Sequence, residues 1–346
     1  MPSIVERILG QPCVAIDLGT ANTRVHACGQ ENIAEEPSLV RHVSERDADS
    51  PDAYIAHLNA KFVSSPLRGG VVVDVNNAIS LLRPLLRRTR SLLRQPVSLA
   101  CAPTDTSEKE RKWLADAILG AGATHVAIIP EPWAAAIGAG LDVTAASARM
   151  LVDIGDGVTD LAVIRDGRLV YTTAVRTACH DLRQAIRNAV LSRYRISLYP
   201  ADLEQLTHVA GSGLDSSAAA AAASREIPLR GMDIVRRCEV ELTVRQDEIL
   251  AAMEPVLEKM LGMIERSIRK MPEWYAAEVC DTGICLTGGG SCIKGIDRLI
   301  AARTNLTVRI APDPVHAVIN GAIQTVRYWK ERQDWWEQIA WPTLSS

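Results

Sequence analysis

The chain has 346 residues and a formal net charge of −3, with 47% hydrophobic and 23% charged residues. This length predicts two domains, and this composition excludes a disordered chain and a strongly basic nucleic-acid binder. No apolar run in the sequence is long enough to predict a membrane-spanning helix. None of the eight cysteines forms a C-x-x-C pair. This argues against a disulfide framework or a zinc site and predicts free thiols in a reducing, cytoplasmic compartment.

Apolar runs and turn residues predict the elements of the first half of the chain. Buried strands are predicted at 14–16, 23–27, 97–103 and 125–132. Ser107 and Glu110 have the spacing of a capping box, so a helix is expected to begin there. The small residues after Pro132 predict another helix, which leaves Glu131 at the end of a strand.

The second half of the chain alternates strands with helices, which is the pattern of an α/β fold. Three β runs separated by glycine-containing turns occupy residues 148–175 and predict a meander of hairpins. The Ala-rich stretch 212–226 is either a surface loop, which we favour, or an alanine helix. A long amphipathic helix is predicted at about 246–270. A strand, a Gly-rich turn and a helix follow in "ICLTGGGSCIKGIDRLI", and a last strand and helix in "VRIAPDPVHAVINGA".

Two segments of the chain share one pattern, "CVAIDLGTANTRV" and "MLVDIGDGVTDLAV". In each, an apolar run is followed by Asp, an apolar residue, Gly, three further residues and Thr. The matched pairs are Asp17 with Asp153, Gly19 with Gly155, and Thr23 with Thr159. The distance between the copies is far longer than a solenoid repeat. It predicts a duplicated domain, and two unrelated β-turns are the alternative.

The repeated turn has the composition of an anion-binding site. A Gly-rich hairpin turn lets backbone N–H groups approach an anion closely, and Thr and Asn add side-chain donors. The Asp at each strand end suits a hydrated Mg²⁺ and would repel a bare phosphate. Two such turns, one in each domain, predict a nucleotide and its metal in a cleft between the domains. A third turn, at 288–290, offers three glycines where a base or ribose can approach the backbone.

These segments also carry a family resemblance. In chain order, "AIDLGTANTRV", "EEPSLV", "PEPWAAAIGAGL", "LVDIGDGVTDLAVI" and "LTGGGSCIKGIDRLI" resemble the motifs of the bacterial actin homologues of the MreB/Mbl family, the rod shape-determining type. The resemblance covers residues 13 to 328. It implies an actin-like α/β fold, a duplicated ribonuclease H-like architecture with two domains around a nucleotide cleft. It also implies ATP and Mg²⁺ as cofactors, head-to-tail filaments, and a position under the cell membrane with cell-wall synthesis or morphogenesis proteins as partners.

The resemblance divides the chain as well. The expected boundaries are 1–140 for domain I, 141–346 for domain II, about 33–72 and 185–255 for their small subdomains, about 314–328 for a last helix that returns to domain I, and 329–346 for a Trp-rich tail. The first small subdomain (subdomain IB) is expected to be reduced, because the stretch at about 44–66 is shorter than usual in the family. The tryptophans of the tail either pack onto the core, which we favour, or contact a membrane or a partner.

The resemblance implies roles for individual residues. The residues expected to contact the nucleotide are Gly19, Thr20, Ala21, Asn22, Arg24, Gly155, Asp156, Gly157, Val158, Thr159, Glu204, Thr207, Gly288, Gly289, Gly290 and Ser291. Asp17 and Asp153 are expected to hold the metal through water. Glu131 is expected to be catalytic, orienting the water that attacks the γ-phosphate, and Asp153 is the second expected catalytic residue.

Several of these residues depart from the family's usual pattern. Asp156 and Val158 replace Gly and Thr, so that "GDGVT" resembles eukaryotic actin, where the equivalent Asp bonds a ribose hydroxyl. Arg24 lies where the family has an apolar residue and where actin has a phosphate-binding Lys. Thr207 replaces the Lys of the family's ribose motif, whereas Glu204 is retained. The sequence therefore predicts a variant ATP site.

The function that these features predict is that of an ATP-binding, polymerising cytoskeletal protein with slow ATPase activity. We expect it to be cytoplasmic, peripheral at the inner face of the cell membrane, and without a nucleic-acid partner. A non-hydrolysing nucleotide-bound scaffold is one alternative. A small-molecule kinase or a chaperone-type ATPase of the same fold is less favoured, because each needs extra length for a substrate or peptide site. The arginines among the leucines of 81–94 predict a solvated basic face, with contact to anionic lipid or a partner as the alternative.

Overall fold

The computed structural model describes residues 13–41, 63–89, 96–214 and 225–328, together with Trp341. Its helices are α1 (Val75–Arg88), α2 (Glu108–Ala121), α3 (Glu131–Gly138), α4 (Cys179–Tyr194), α5 (Pro200–Ala210), α6 (Gln246–Lys270), α7 (Glu273–Thr282), α8 (Ile296–Thr304) and α9 (Ala317–Tyr328). Its strands are β1 (Cys13–Leu18), β2 (Asn22–Ala27), β3 (Ala34–Pro37), β4 (Val40–Arg41), β5 (Val63–Ser64), β6 (Leu67–Arg68), β7 (Val71–Val72), β8 (Val97–Ala102), β9 (His125–Pro130), β10 (Arg149–Ile154), β11 (Thr159–Arg165), β12 (Arg168–Val175), β13 (Ile196–Leu198), β14 (Glu226–Asp233), β15 (Cys238–Arg245), β16 (Ile284–Thr287) and β17 (Val308–Ile310).

Three sequence expectations fall wholly or mainly outside the described residues. They are the centre of the Ala-rich stretch, the size of the first small subdomain between β4 and β5, and the Trp-rich tail other than Trp341. The part of the chain that the structure describes contains no helix that is both long and apolar enough to cross a membrane.

The chain divides into two compact units. The first contains the described residues up to Thr144, residues 167–169 and the described residues from His316 onward. The second contains Ala145–Asp166 and Val170–Val315. Helix α9 therefore belongs with the first unit, although it follows the second unit in sequence.

A five-stranded sheet in the order β3-β2-β1-β8-β9 forms the centre of the first unit. Strand β1 pairs antiparallel with β2 and parallel with β8, and β8 pairs parallel with β9. All residues of β1 and β8 are buried, as expected for strands covered on both faces. Helices α3 and α9 pack so closely that a Cβ atom added to Gly321 would lie 1.7 Å from the Ala134 carbonyl oxygen. The small residues of these helices thus permit direct backbone contact.

Local sequence signals decide how α1 and α2 form. The predicted capping box of α2 is confirmed: the Ser107 hydroxyl accepts from the Glu110 N–H at 3.3 Å, and the Glu110 carboxylate accepts from the Ser107 N–H at 2.8 Å. Helix α1 buries its paired leucines and exposes Arg83, Arg87 and Arg88. The described arginines of the basic stretch are thus exposed, while Arg90 and Arg94 lie outside the described residues, and the choice between a solvated face and a lipid or partner contact stays a prediction.

The second unit contains a sheet in the order β12-β11-β10-β16-β17 and a smaller sheet in the order β13-β14-β15. The predicted meander is confirmed by β10, β11 and β12, and the predicted long helix is confirmed by α6. Apolar side chains of α4 and α6 join those of both sheets in one core. The carboxyl end of β10 and the N-terminus of α4 are thereby held close to the turn after β16.

Trp341 lies against the core of the first unit. Its backbone N–H donates to the Ile128 carbonyl oxygen at 3.1 Å, which extends the edge of the sheet beyond β9. The Arg111 guanidinium stacks over the indole ring, 4.8 Å from its centroid. This one described tryptophan of the tail thus packs on the protein, as the favoured alternative for the tail requires.

Candidate functional site

The hairpin turn between β1 and β2 is held by its own backbone and by neighbouring side chains. The Gly19 N–H donates to the Asn22 carbonyl oxygen at 3.1 Å, and a Cβ atom on Gly19 would lie 2.9 Å from that oxygen. The Ser38 hydroxyl donates to the Gly19 carbonyl oxygen at 2.6 Å, and the Thr20 hydroxyl accepts from the Gly70 N–H at 3.0 Å. Glycine is therefore required at position 19 by close backbone approach. Ala21 is the exposed residue of the turn.

A buried ion-pair network lies directly behind this turn. Arg24 donates from Nη1 to Asp17 Oδ2 at 3.3 Å and from Nη2 to Glu35 Oε1 at 2.8 Å. The other Glu35 oxygen lies 3.4 Å from His316 Nε2. Burial raises the pKa of the Asp17 carboxyl, and the Arg24 charge opposes that rise. The Arg24 guanidinium thus neutralises carboxylates in this structure, and its expected phosphate contact stays a prediction.

Glu35 and His316 are missing from the sequence-based assignment. Glu35 could have been found from the pairing of strands, because it lies opposite Arg24 in the β2–β3 register. His316 immediately precedes α9 and is 281 residues from Glu35 in sequence. No pattern in the sequence indicates its contact with Glu35.

Asp17, Cys101 and Glu131 are brought together by the parallel strands of the first unit. Each lies at or just beyond the carboxyl end of β1, β8 or β9, and parallel strands place these ends at one edge of a sheet. Burial raises the pKa of the Cys101 thiol well above its ordinary value, and the charges of Asp17 and Glu131 add to the rise. Glu131 is the first residue of α3 and is buried. The structure thus places Glu131 at a helix N-terminus, where the sequence had left it at the end of a strand.

The turn between β10 and β11 repeats the geometry of the β1–β2 turn. The Gly155 N–H donates to the Val158 carbonyl oxygen at 3.0 Å, and a Cβ atom on Gly155 would lie 3.1 Å from that oxygen. Buried Asp153 accepts from the Thr287 hydroxyl at 2.6 Å. The Thr159 hydroxyl is buried and donates to the Thr177 carbonyl oxygen at 2.9 Å. The two copies of the sequence repeat therefore form the same hydrogen-bonded turn in different units.

Asp156 forms an ion pair that the sequence did not predict. Its carboxylate accepts from the Arg183 guanidinium of α4, and its carbonyl oxygen accepts from the His180 N–H at 2.8 Å. The neighbouring residues Gly157 and Val158 are buried. Because Arg183 is a turn of helix beyond the start of α4, only the packing of that helix on the β10–β11 turn brings it to Asp156. Arg183 is thus a charged residue of this site that sequence reasoning missed.

The glycines of the turn after β16 serve mainly to pack this turn against β10. A Cβ atom on Gly288 would lie 2.3 Å from the Ile154 carbonyl oxygen, and one on Gly290 would lie 2.2 Å from the Ile154 side chain. Gly288 also has a positive φ of 79°. A Cβ atom on Gly289 would meet no described atom within 4 Å. The Ser291 hydroxyl donates to the Gly288 carbonyl oxygen at 2.7 Å. Open space for a ligand is therefore present at one of these three glycines.

The two residues of the expected ribose motif differ in exposure. Thr207 is buried within α5, and its hydroxyl donates to the Leu203 carbonyl oxygen at 2.8 Å. Glu204 is exposed on the same helix. His208 Nδ1 lies 3.3 Å from the Cys292 carbonyl oxygen, which connects α5 to the turn after β16. Glu204 thus presents a carboxylate at the surface, whereas the Thr207 hydroxyl bonds its own helix.

The described residues contain no group of three or more His, Cys, Asp or Glu side chains placed to hold a metal ion. Asp17 and Asp153 are buried carboxylates, one in each unit, and each lies two residues before the glycine of a hairpin turn. Such a donor set fits Mg²⁺, which binds through one or two carboxylates, substrate phosphates and retained waters. It does not fit a metal held by protein side chains alone.

Comparison with known proteins decides the family. A sequence model of the family described as MreB/Mbl protein matches residues 11–334. The chain belongs to the MreB/Mbl family. It is 32% identical over 322 residues to the cell shape-determining protein MreB of Escherichia coli K12, covering 89% of this chain and 91% of that protein. It is 28% identical over 316 residues to the cell shape-determining protein Mbl of Bacillus subtilis, covering 89% and 93%.

Solved structures show that this MreB/Mbl family member has the actin-like fold. It superposes on MreB5 of Spiroplasma citri bound to AMPPNP with a TM-score of 0.81 and 25% identity, over 94% of this chain and 98% of that one. The MamK double helical filament gives a TM-score of 0.75 at 17% identity, over 92% and 99%. The predicted family and the predicted fold are both confirmed. The chain is thus a member of a family of cell shape-determining, actin-like proteins.

Proposed function

We propose that the chain binds Mg-ATP through the β1–β2 and β10–β11 turns. The observation that carries the proposal is their common geometry. In each turn a glycine N–H donates to the carbonyl oxygen three residues later, and a buried Asp lies two residues before the glycine. Crystal structures of Spiroplasma citri MreB5 bound to AMPPNP and to ADP support the same ligand class here.

The backbone of both turns is proposed to contact the phosphates. Thr20, Ala21 and Asn22 lie at or near the surface of the first turn, where N–H groups can face an anion. Asp17 and Asp153 are proposed to orient waters of the bound Mg²⁺. When bound, Mg²⁺ neutralises phosphate charge, while these two carboxylates fix where it lies. A Cβ atom would lie 2.9 Å from the Asn22 carbonyl oxygen at Gly19 and 3.1 Å from the Val158 carbonyl oxygen at Gly155, so we expect larger residues to distort both turns.

The remaining assigned residues are proposed to lie around the ribose and base. Asp156 is proposed to bond a ribose hydroxyl, which requires it to share its carboxylate with Arg183. Gly289 offers open space, and Glu204 offers an exposed carboxylate. Thr207 contributes through packing of α5, because its hydroxyl is already bonded within the helix.

Isothermal titration calorimetry with ATP and Mg²⁺ tests the binding proposal. Asp17→Ala and Gly155→Val should each abolish measurable binding, since one removes a carboxylate at the metal and the other adds bulk where the backbone faces phosphate. Arg88→Met is the control, because the Arg88 side chain is 65% exposed on α1 and lies outside the assigned site. Circular dichroism must show that each variant is folded. Unchanged affinity in a folded Asp17→Ala or Gly155→Val protein would remove that turn from the site.

Arg24 is proposed to contact phosphate after its guanidinium leaves Asp17 and Glu35. A charge-assisted hydrogen bond contributes roughly 1.5–3 kcal/mol. Arg24→Met should therefore weaken ATP binding by about tenfold or more. Calorimetry on the folded variant decides the point. An unchanged affinity would mean that Arg24 serves only to neutralise the buried carboxylates.

Hydrolysis is proposed to be slow and to depend on Glu131. Its carboxylate lies at the same sheet edge as Asp17 and can orient a water for in-line attack on the γ-phosphate. A group of this kind contributes about 10²–10⁴-fold to a rate. Glu131→Gln should nearly abolish phosphate release while ATP binding is retained. Equal turnover in variant and parent would exclude Glu131, and no turnover in the parent would favour a non-hydrolysing scaffold.

The protein is proposed to assemble into filaments, and the bound nucleotide is proposed to control this assembly. The fold is shared with MamK, which forms a double helical filament, and the curated relatives are cell shape-determining proteins. We further propose a cytoplasmic location at the inner face of the membrane, with proteins of cell-wall synthesis as partners. Negative-stain microscopy and liposome pelleting, each with and without ATP, test these points. Discrete particles under all conditions would favour a kinase-type or chaperone-type function.

A further inference from the structure

Two cysteines face each other across the β1–β2 hairpin, at the end away from its turn. Cys13 is the first residue of β1, and Cys28 follows the last residue of β2. The register pairs Val14 with Ala27, so the next opposed pair is Cys13 with Cys28. The Cys28 N–H donates to the Cys13 carbonyl oxygen at 2.8 Å. Hydrogen-bonded antiparallel partners have Cα atoms about 5.5 Å apart, which is inside the range of about 4.4–6.8 Å that a disulfide spans.

The two side chains are in contact but differ in exposure. Because the two residues are directly opposed in the strand pair, each thiol acts on the pKa of the other. Cys13 is buried beneath the surface of the first unit, whereas Cys28 is exposed. The thiol contact lowers the pKa of Cys28, an effect that burial opposes and the Arg327 guanidinium of α9 reinforces. The same contact and burial raise the pKa of Cys13. The exposed Cys28 thus ionises more readily than the buried Cys13.

We propose that Cys13 and Cys28 form a modification site, at which a hydroperoxide oxidises the two thiols to an intrachain disulfide. The Cys28 thiolate attacks the peroxide, so that the O–O bond breaks and a sulfenic acid forms on Cys28. The alkoxide or hydroxide that leaves takes a proton from water. Cys13 Sγ then attacks the Cys28 sulfur. The S–O bond breaks, and the hydroxide leaves as water with the Cys13 proton. The two thiols supply the two electrons that reduce the peroxide.

The strand geometry also makes this disulfide readily reversible. Directly opposed Cβ atoms in a strand pair lie about 4.5–5.5 Å apart, whereas a disulfide requires about 3.5–4.5 Å. Closing that difference strains the bond, and strained disulfides are reduced more easily. A small dithiol should therefore restore both thiols without unfolding the protein.

The site shares one face of the hairpin with the Asp17–Arg24 pair. Residues two apart on a strand point to the same face, which places Cys13 with Asp17 and Cys28 with Arg24. Oxidation converts the Cys28 thiol, whose pKa the Arg327 charge lowers, without adding bulk to the turn that holds Gly19. The disulfide should accordingly cross-link the open end of the β1–β2 hairpin and leave the conformation of the β1–β2 turn unchanged. The proposal does not depend on nucleotide binding.

Peptide mapping tests the proposal on the full chain. The protein is reduced, treated with hydrogen peroxide, alkylated and digested with trypsin, which cleaves after Arg24 between the two cysteines. The expected product is a covalent pair of the peptides 8–24 and 25–41, together with the loss of two hydrogen atoms from the intact mass. Dithiothreitol should convert this pair back to two alkylated peptides. Cys280→Ser, which removes an exposed cysteine of α7, is the matched control and should leave the linked pair unchanged.

Variants of each thiol separate the two chemical steps. Cys28→Ser should abolish the linked pair. Cys13→Ala leaves the sulfenic acid on Cys28 without its resolving thiol, so that peroxide should drive Cys28 to the sulfinic acid. Circular dichroism confirms the fold of each variant. The proposal is overturned if the folded parent protein gives no 8–24/25–41 pair while Cys28 is alkylated as in the untreated sample. It is also overturned if Cys28 pairs equally well with other cysteines.

Discussion

Replacing Arg24 with methionine tests the charge network behind the first turn. The guanidinium contacts Asp17 at 3.3 Å and Glu35 at 2.8 Å, and the side chains of Arg24 and Asp17 are only 9% and 7% exposed. Methionine keeps most of the side-chain volume and removes the charge. The buried Asp17 carboxylate then loses the cation that opposes the effect of its burial.

The expected loss of stability follows from this geometry. Removing one partner of a buried ion pair costs about 3–5 kcal/mol, because the remaining charge is left buried and uncompensated. Arg88→Met is the matched control: Arg88 also contacts a glutamate, Glu36, at 3.5 Å, but the two side chains are 65% and 47% exposed. Exposed pairs contribute at most about 1 kcal/mol. Urea unfolding followed by circular dichroism should therefore separate the two variants by at least about 2 kcal/mol.

The stability that Arg24→Met loses should depend on pH in one direction. Burial holds the pKa of Asp17 above its unfolded value, so folding favours the protonated carboxyl. The contribution of Asp17 to stability therefore falls as the pH rises through the window between its unfolded pKa and its folded pKa. Without Arg24 the unfavourable charge is larger, and the deficit of Arg24→Met should be greatest above the window and shrink in acid. Adding Asp17→Asn should restore most of the lost stability. The reasoning is refuted if Arg24→Met costs no more than Arg88→Met, or if Asp17→Asn gives no recovery.

Two further predictions concern packing and capping in the first unit. Gly321→Ala should destabilise the protein by about 3 kcal/mol, because the new Cβ atom would lie 1.7 Å from the Ala134 carbonyl oxygen and helices α3 and α9 would have to separate. Gly289→Ala, whose Cβ atom meets no described atom within 4 Å, should change urea unfolding far less, and equal effects would contradict the packing argument. Ser107→Ala should cost about 1 kcal/mol in the same assay, because it removes the hydroxyl that caps α2. A midpoint equal to that of the parent would show that the Glu110 carboxylate alone is sufficient there.

Local features of the fold were predictable from the sequence where neighbouring residues decide them. The capping box at Ser107 involves residues three apart and was found as predicted. The turns at Gly19 and Gly155 likewise depend on a short run in which an apolar strand is followed by Asp and Gly. The glycine cluster at 288–290 shows the limit of this reasoning. Its turn was foreseen, but the contacts of Gly288 and Gly290 with β10 come from a strand far away in sequence.

The sequence by itself thus determined the repeated strand–turn pattern and the family, because each of these is written in short segments. Tertiary structure alone decided the contacts that Asp156 makes with Arg183 and that Glu35 makes with His316. Arg183 meets Asp156 because α4 packs beside the β10–β11 turn. His316 meets Glu35 because the chain returns to the first unit just before α9. Such contacts depend on which strands and helices become neighbours, and a residue's own surroundings in the sequence carry no record of that choice.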